Sequence, residues 1–134
     1  MTIVICLDNH NGMLFNHRRQ SRDRLLTEDL MKLFPNEIIH IDKFSQSLFS
    51  EFSDRISVDE SLLENAAAND ICFVENIDIL PYENKISKLV VYHWNRDYPS
   101  DFQCRLDFSK YTLTTSIDFA GSSHERITRE EYIK

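Results

Sequence analysis

Four of the chain's nine arginines fall within seven residues, in the run His17-Arg18-Arg19-Gln20-Ser21-Arg22-Asp23-Arg24. Guanidinium groups offer planar, paired N–H donors that match carboxylate and phosphate oxygens, so this run is the strongest candidate for contact with an anionic ligand or an acidic partner. Outside residues 17–24 the chain carries 11 basic against 21 acidic residues, which concentrates its positive charge on this one segment. A helix beginning at Arg22 would turn its free N–H groups toward the same loop and add its dipole to the guanidiniums. The competing reading is ion pairing with the chain's own carboxylates. Asn9, Asn11, Gly12 and Asn16 surround the cluster with residues that tolerate left-handed backbone and supply amide hydrogen bonds. The candidate contact residues here are Asn11, Asn16, Arg18, Arg19, Arg22 and Asp23.

A second stretch, Tyr92-His93-Trp94-Asn95-Arg96-Asp97-Tyr98, is rich in the residue types that dominate protein interfaces, which adds Trp94 and Arg96 as candidate anchors. Alternation along a strand would instead send Tyr92 and Trp94 to one face, in the core. Ser122-Ser123-His124-Glu125 contains nucleophile, base and acid types, but adjacent positions do not supply the hydrogen-bonded geometry of a triad, and the run reads as loop. Asp97, Asp101 and Asp107 lack the ligand spacing and central Gly of a calcium loop. Neither a metal nor a cofactor is expected. Cys6, Cys72 and Cys104 are odd in number and far apart, which fits no disulfide framework or zinc site, and Cys6 and Cys72 lie in apolar runs as small buried thiols.

These residues need a scaffold, and 134 residues suffice for a single α/β domain over 1–134. At 42% hydrophobic, the chain can bury enough apolar surface to outweigh ordering entropy. Two Gly and three Pro exclude Gly-rich phosphate loops and flexible linkers. The net charge of −7 disfavours general nucleic-acid binding, whose affinity comes from clustered cations. No apolar run approaches the ~20 residues of a membrane helix, and MTIVICLDNH is too short and acidic for a signal peptide, so a cytoplasmic protein is expected.

Residues Thr2 to Leu7 read as a strand buried on both faces. Asn9 to Gln20 reads as a long surface loop. Ser21 is positioned to cap a helix over Arg22 to Phe34, with Leu25, Leu26, Leu30, Leu33 and Phe34 as its apolar stripe. Strands follow at 36–42, 71–74 and 88–94, with helices opened by Ser45 and, at 60–68, by Asp59. Tyr111 to Phe119 suits an exposed edge strand. The tail ITREEYIK is a closing strand or a turn of helix. The order implies a three-layer α/β sandwich with a mainly parallel sheet and an antiparallel C-terminal edge.

ICLDNHNGML, RLLTEDLMKLFP, NEIIHIDKFSQSLF and LPYENKISKLVVYHW follow one another as the corresponding strands and helices do in the dihydrofolate reductase fold, which the chain resembles. The resemblance implies a substrate-binding carboxylate at Asp23 or Asp29. It also implies a dinucleotide cradle of Gly residues after the second and third strands, where this chain reads HIDKFS and VENID. FNHRRQSRDR, CFVENIDI, YHWNRDYPSDF and SSHERIT further resemble a group of small proteins of low-GC Gram-positive bacteria and their mobile elements. Some of these carry a ribonuclease Z label, which implies a His-x-His-x-Asp-His metal cluster. Here His10, His17, His40, His93 and His124 never come closer than seven residues to one another, so that activity is not expected.

The leading expectation is a non-enzymatic binding or accessory protein that contacts an acidic partner or anionic ligand through the arginine-rich loop, with no membrane contact. One alternative is an enzyme acting on a phosphorylated small molecule or nucleotide. The other is an acidic antagonist that imitates nucleic acid before a host or defence protein.

Overall fold

Ile3, Ile5 and Leu7 alternate with Val4 along the first strand, and all four are fully buried, so the strand needs a hydrophobic layer on each side. The computed structural model describes residues 1–134 and supplies both layers. Ile3, Ile5 and Leu7 pack with Leu62, Leu63, Ile79, Ile86, Leu89 and Val91 on one face. Val4 packs with Leu26, Leu30, Phe49, Phe73, Val90 and Tyr92 on the other. Each such aliphatic side chain contributes about 1.5–3 kcal/mol of burial.

The strands are β1 (Thr2–Leu7), β2 (Gly12–Phe15), β3 (Arg18–Arg19), β4 (Ile39–Ile41), β5 (Ile56–Val58), β6 (Ile71–Phe73), β7 (Lys88–His93), β8 (Phe102–Gln103), β9 (Thr112–Phe119) and β10 (Ile127–Ile133). The helices are α1 (Arg24–Leu33) and the single turn α2 (Leu62–Asn65). Seven strands form the main sheet in the order β5-β4-β6-β1-β7-β10-β9. The ladders from β5 to β7 are parallel, and β10 runs antiparallel to both β7 and β9. This is the expected α/β sandwich, and no helix is long and apolar enough to cross a membrane.

Asn9 to Gln20 is not one irregular loop. β2 and β3 pair within it, and β8 completes a three-stranded sheet. The turns that fold them are Asn11 (φ 62°), Asn16 (φ 51°) and His17 (φ 61°). The segment opened by Ser45 is a 3-10 run, Lys43–Arg55, capped by Asp42 and broken at Phe49 and Phe52. The tail is a strand, and it inserts between β7 and β9 because Ile127, Arg129 and Glu131 alternate onto the buried face.

β2 approaches the end of β1 closely. A Cβ built on Gly12 lies 2.4 Å from Asp8 Oδ2 and 2.5 Å from Ser100 Oγ. Gly12→Ala should therefore cost about 1–3 kcal/mol in urea denaturation, the range for forcing a methyl group into packed space.

Candidate functional site

Open α/β sheets take ligands outside the carboxyl ends of the strands, where successive crossovers leave on opposite faces. Here that point lies between β1 and β6. The crossover from β1 runs through α1 on the face of Leu26 and Leu30, and the one from β6 runs through Ile79 and Ile86 on the other. Asp8 follows β1 and Glu75 follows β6 by two residues, and both are buried. β3 delivers the side chains that answer them. Arg19 donates from Nε to Glu75 Oε1 at 2.7 Å and from Nη2 to Glu75 Oε2 at 2.7 Å. The same Nη2 donates to the Phe44 carbonyl at 2.9 Å, and the guanidinium lies 5.0 Å from the Phe44 ring centroid. Ser45 Oγ donates to Glu75 Oε2 at 3.2 Å. Gln20 Nε2 donates to Asp8 Oδ2 at 2.8 Å, while Asp8 Oδ1 accepts from the N–H groups of His10 and Gly12. The two carboxylates at the strand ends are thus paired with the protein's own side chains. Burial and the Glu75 charge push the Cys6 thiol up, against a smaller opposing effect of Arg19, so this cysteine is no ready nucleophile.

A second polar cluster sits at the start of α1. Asp23, not Ser21, is the cap, and the helix begins at Arg24, so Arg22 lies outside it. The Asp23 carboxylate accepts from the N–H groups of Leu25, Leu26, Ser122 and Ser123 and from His124 Nδ1 at 2.9 Å. Burial alone would raise its pKa, but these donors hold it well below the usual carboxylate range. Its negative charge fills the helix N-terminus, which removes the anion site expected there from dipole and guanidiniums together. On its far side, His124 Nε2 lies 3.2 Å from Ser21 Oγ and 2.8 Å from Tyr98 OH. Trp94 stacks on the imidazole at 4.7 Å.

Several candidate residues change character accordingly. Trp94 is 4% exposed in the core, as strand alternation would have it, and is not a surface anchor. Arg19 is consumed by Glu75, and Asp23 is buried with its oxygens engaged. Asn11 and Asn16 shape turns: the Asn11 carbonyl accepts from Cys104 N–H, and the Asn16 N–H donates to the Asp101 carboxylate. Arg18, Arg22 and Arg96 are exposed, and their guanidiniums make no salt bridge or hydrogen bond to the chain. The other six arginines are all engaged, Arg55 by backbone carbonyls and the rest by carboxylates. The loops carrying these three are joined where Asn9 N–H bonds the Arg96 carbonyl and where Gln20 bonds the Pro99 carbonyl.

Asp29, the other carboxylate implied by the resemblance, accepts from Arg129 Nη1 at 2.7 Å and from Tyr92 OH at 2.6 Å. This trio spans α1, β7 and β10, which no local pattern of the sequence brings together. No group of three or more His, Cys, Asp or Glu side chains is arranged to hold a metal ion.

The fold is similar to that of dihydrofolate reductase from Enterococcus faecalis, solved in complex with NADP(H) and RAB-propyl. The TM-score is 0.62 over 98% of this chain and 94% of that one, at 8% sequence identity, so the likeness is one of fold. No protein-family model and no curated protein matches the chain.

Two stability predictions follow from these clusters. Arg19→Ala leaves Glu75 buried and unpaired and should cost about 3–5 kcal/mol, whereas Arg19→Met with Glu75→Leu should restore most of it in a double-mutant cycle by urea denaturation. Asp23→Asn should cost about 2–4 kcal/mol at pH 7. Because the folded carboxyl titrates below its unfolded value, the wild-type advantage is present above about pH 4 and shrinks as pH falls further, so the gap between the two proteins should narrow at pH 3.

Proposed function

We propose that this is a cytoplasmic binding or accessory protein that contacts an acidic partner or anionic ligand through Arg18, Arg22 and Arg96, with no reductase chemistry of its own. The observation that carries the reading is the pairing pattern. In a chain with 22 acidic residues, the arginines without a partner are Arg18 on β3 and Arg22 and Arg96 on neighbouring loops. Unpaired exposed guanidiniums have no internal charge to give up when they meet a carboxylate or phosphate, so complementary charge steers association and adds affinity.

The crevice itself does not fit an anionic dinucleotide. Glu75 and Asp8 place carboxylates where a phosphate would approach backbone N–H groups, and Arg19 and Gln20 are bonded to those carboxylates. The likeness of FNHRRQSRDR and SSHERIT to small proteins of low-GC Gram-positive bacteria and mobile elements accords with an accessory role.

Titration of 15N-labelled protein with hexaglutamate and, separately, with inorganic phosphate tests the proposal. At least one probe should shift amides of residues 16–22 and 95–97. An Arg18→Glu, Arg22→Glu variant should lose the response while keeping stability within about 0.5 kcal/mol, as exposed positions do. A response that maps elsewhere, or survives in the variant, would refute the assignment.

A further inference from the structure

The cluster at the start of α1 has the connectivity of an acid, an imidazole base and a hydroxyl drawn from separate parts of the chain. We infer that Ser21, His124 and Asp23 form a nucleophilic triad that hydrolyses carboxylic esters, a function independent of the binding role of the arginines. Asp23 is held ionised by four backbone N–H groups, so His124 Nδ1, at 2.9 Å, carries the proton shared with it. A neutral imidazole fixed in that tautomer has its lone pair on Nε2, which faces Ser21 Oγ at 3.2 Å. The Trp94 ring, 4.7 Å from the imidazole and nearly parallel to it, locks its plane. The His124 side chain is 2% exposed and the Asp23 side chain fully buried, while Ser21 is half-buried and so the member of the three nearest to solvent. The N–H groups of Ser21 and Arg22 bond to no acceptor of the chain, which leaves both available for the developing oxyanion.

A purely structural pair would need only Asp23 and Nδ1 to tie the loop before β10 to α1. Burial of Nε2 requires one further partner, which Tyr98 OH supplies at 2.8 Å, and Ser21 Oγ at 3.2 Å is a second hydroxyl beyond that need. In the reaction, Ser21 Oγ bonds the carbonyl carbon as its proton passes to Nε2. The ester C–O bond then breaks, and the leaving alcohol takes that proton. Water attacks the acyl-serine, gives a proton to Nε2 and releases the acid, and the proton returns to Ser21. Tyr98 OH, 2.8 Å from Nε2, competes for the lone pair and is not the nucleophile.

The test is a neutral fluorophosphonate ester followed by peptide mass mapping, with 4-nitrophenyl acetate hydrolysis in parallel. The adduct should sit on Ser21, be absent from Ser21→Ala and persist in Tyr98→Phe. Hydrolysis should fall about 10²-fold in Ser21→Ala to the background of the imidazoles, with thermal midpoint unchanged. An adduct on Tyr98, an adduct elsewhere or none, or wild-type hydrolysis by Ser21→Ala, would overturn the inference without touching the arginine contact.

Discussion

Glu75 emerges from the middle of a parallel sheet, two residues past β6, into space that water hardly reaches. An ionised carboxylate there is costly unless a partner of matching shape meets it, and the planar guanidinium of Arg19 does so through two donors. Much else follows from bringing Arg19 to that point. The chain must double back after β1, which requires the left-handed turns at Asn11 and at Asn16 and His17. It also pairs β2 with β3 and β8, so that an otherwise open segment becomes a small sheet covering the crevice. Gln20, the next residue, donates to Asp8 on the other side.

The cluster around Asp23 anchors the far end of the same segment. Its carboxylate joins α1 to the loop between β9 and β10 by satisfying donors from both, and it holds Nδ1 of His124 at 2.9 Å. Between the two anchors, residues 19–23 are held at both ends. Arg18 lies just outside the first anchor and Arg22 points away from the second, so their charges remain at the surface while the backbone beneath them is fixed. A rigid backbone reduces the ordering cost of binding, which is why exposed arginines on such a segment contact anions more effectively than on a free loop.

The fold class was legible because β1, β6 and β7 are β-branched runs buried on both faces, and α1 carries a clean apolar stripe. The small sheet was not, because β3 and β8 are two-residue strands whose pairing depends on Arg19 meeting Glu75, 56 positions away. The cap of α1 was misplaced by two residues, since Ser21 and Asp23 are both good caps and only the Ser122-Ser123-His124 loop decides between them. The arginine cluster was visible from composition, but a count of charges cannot separate Arg19, which is bound inward, from Arg18 and Arg22. The serine and histidine run is a loop, as its composition implies. Its chemistry comes from Ser21 and Asp23, about a hundred residues earlier.

Calorimetric titration with NADPH reports whether the crevice beside Glu75 accepts a dinucleotide. Buried carboxylates paired with Arg19 and Gln20 predict no saturable heat at ligand concentrations up to about 1 mM. Saturable micromolar binding that perturbs the amides of Ser45 and Glu75 would contradict the account.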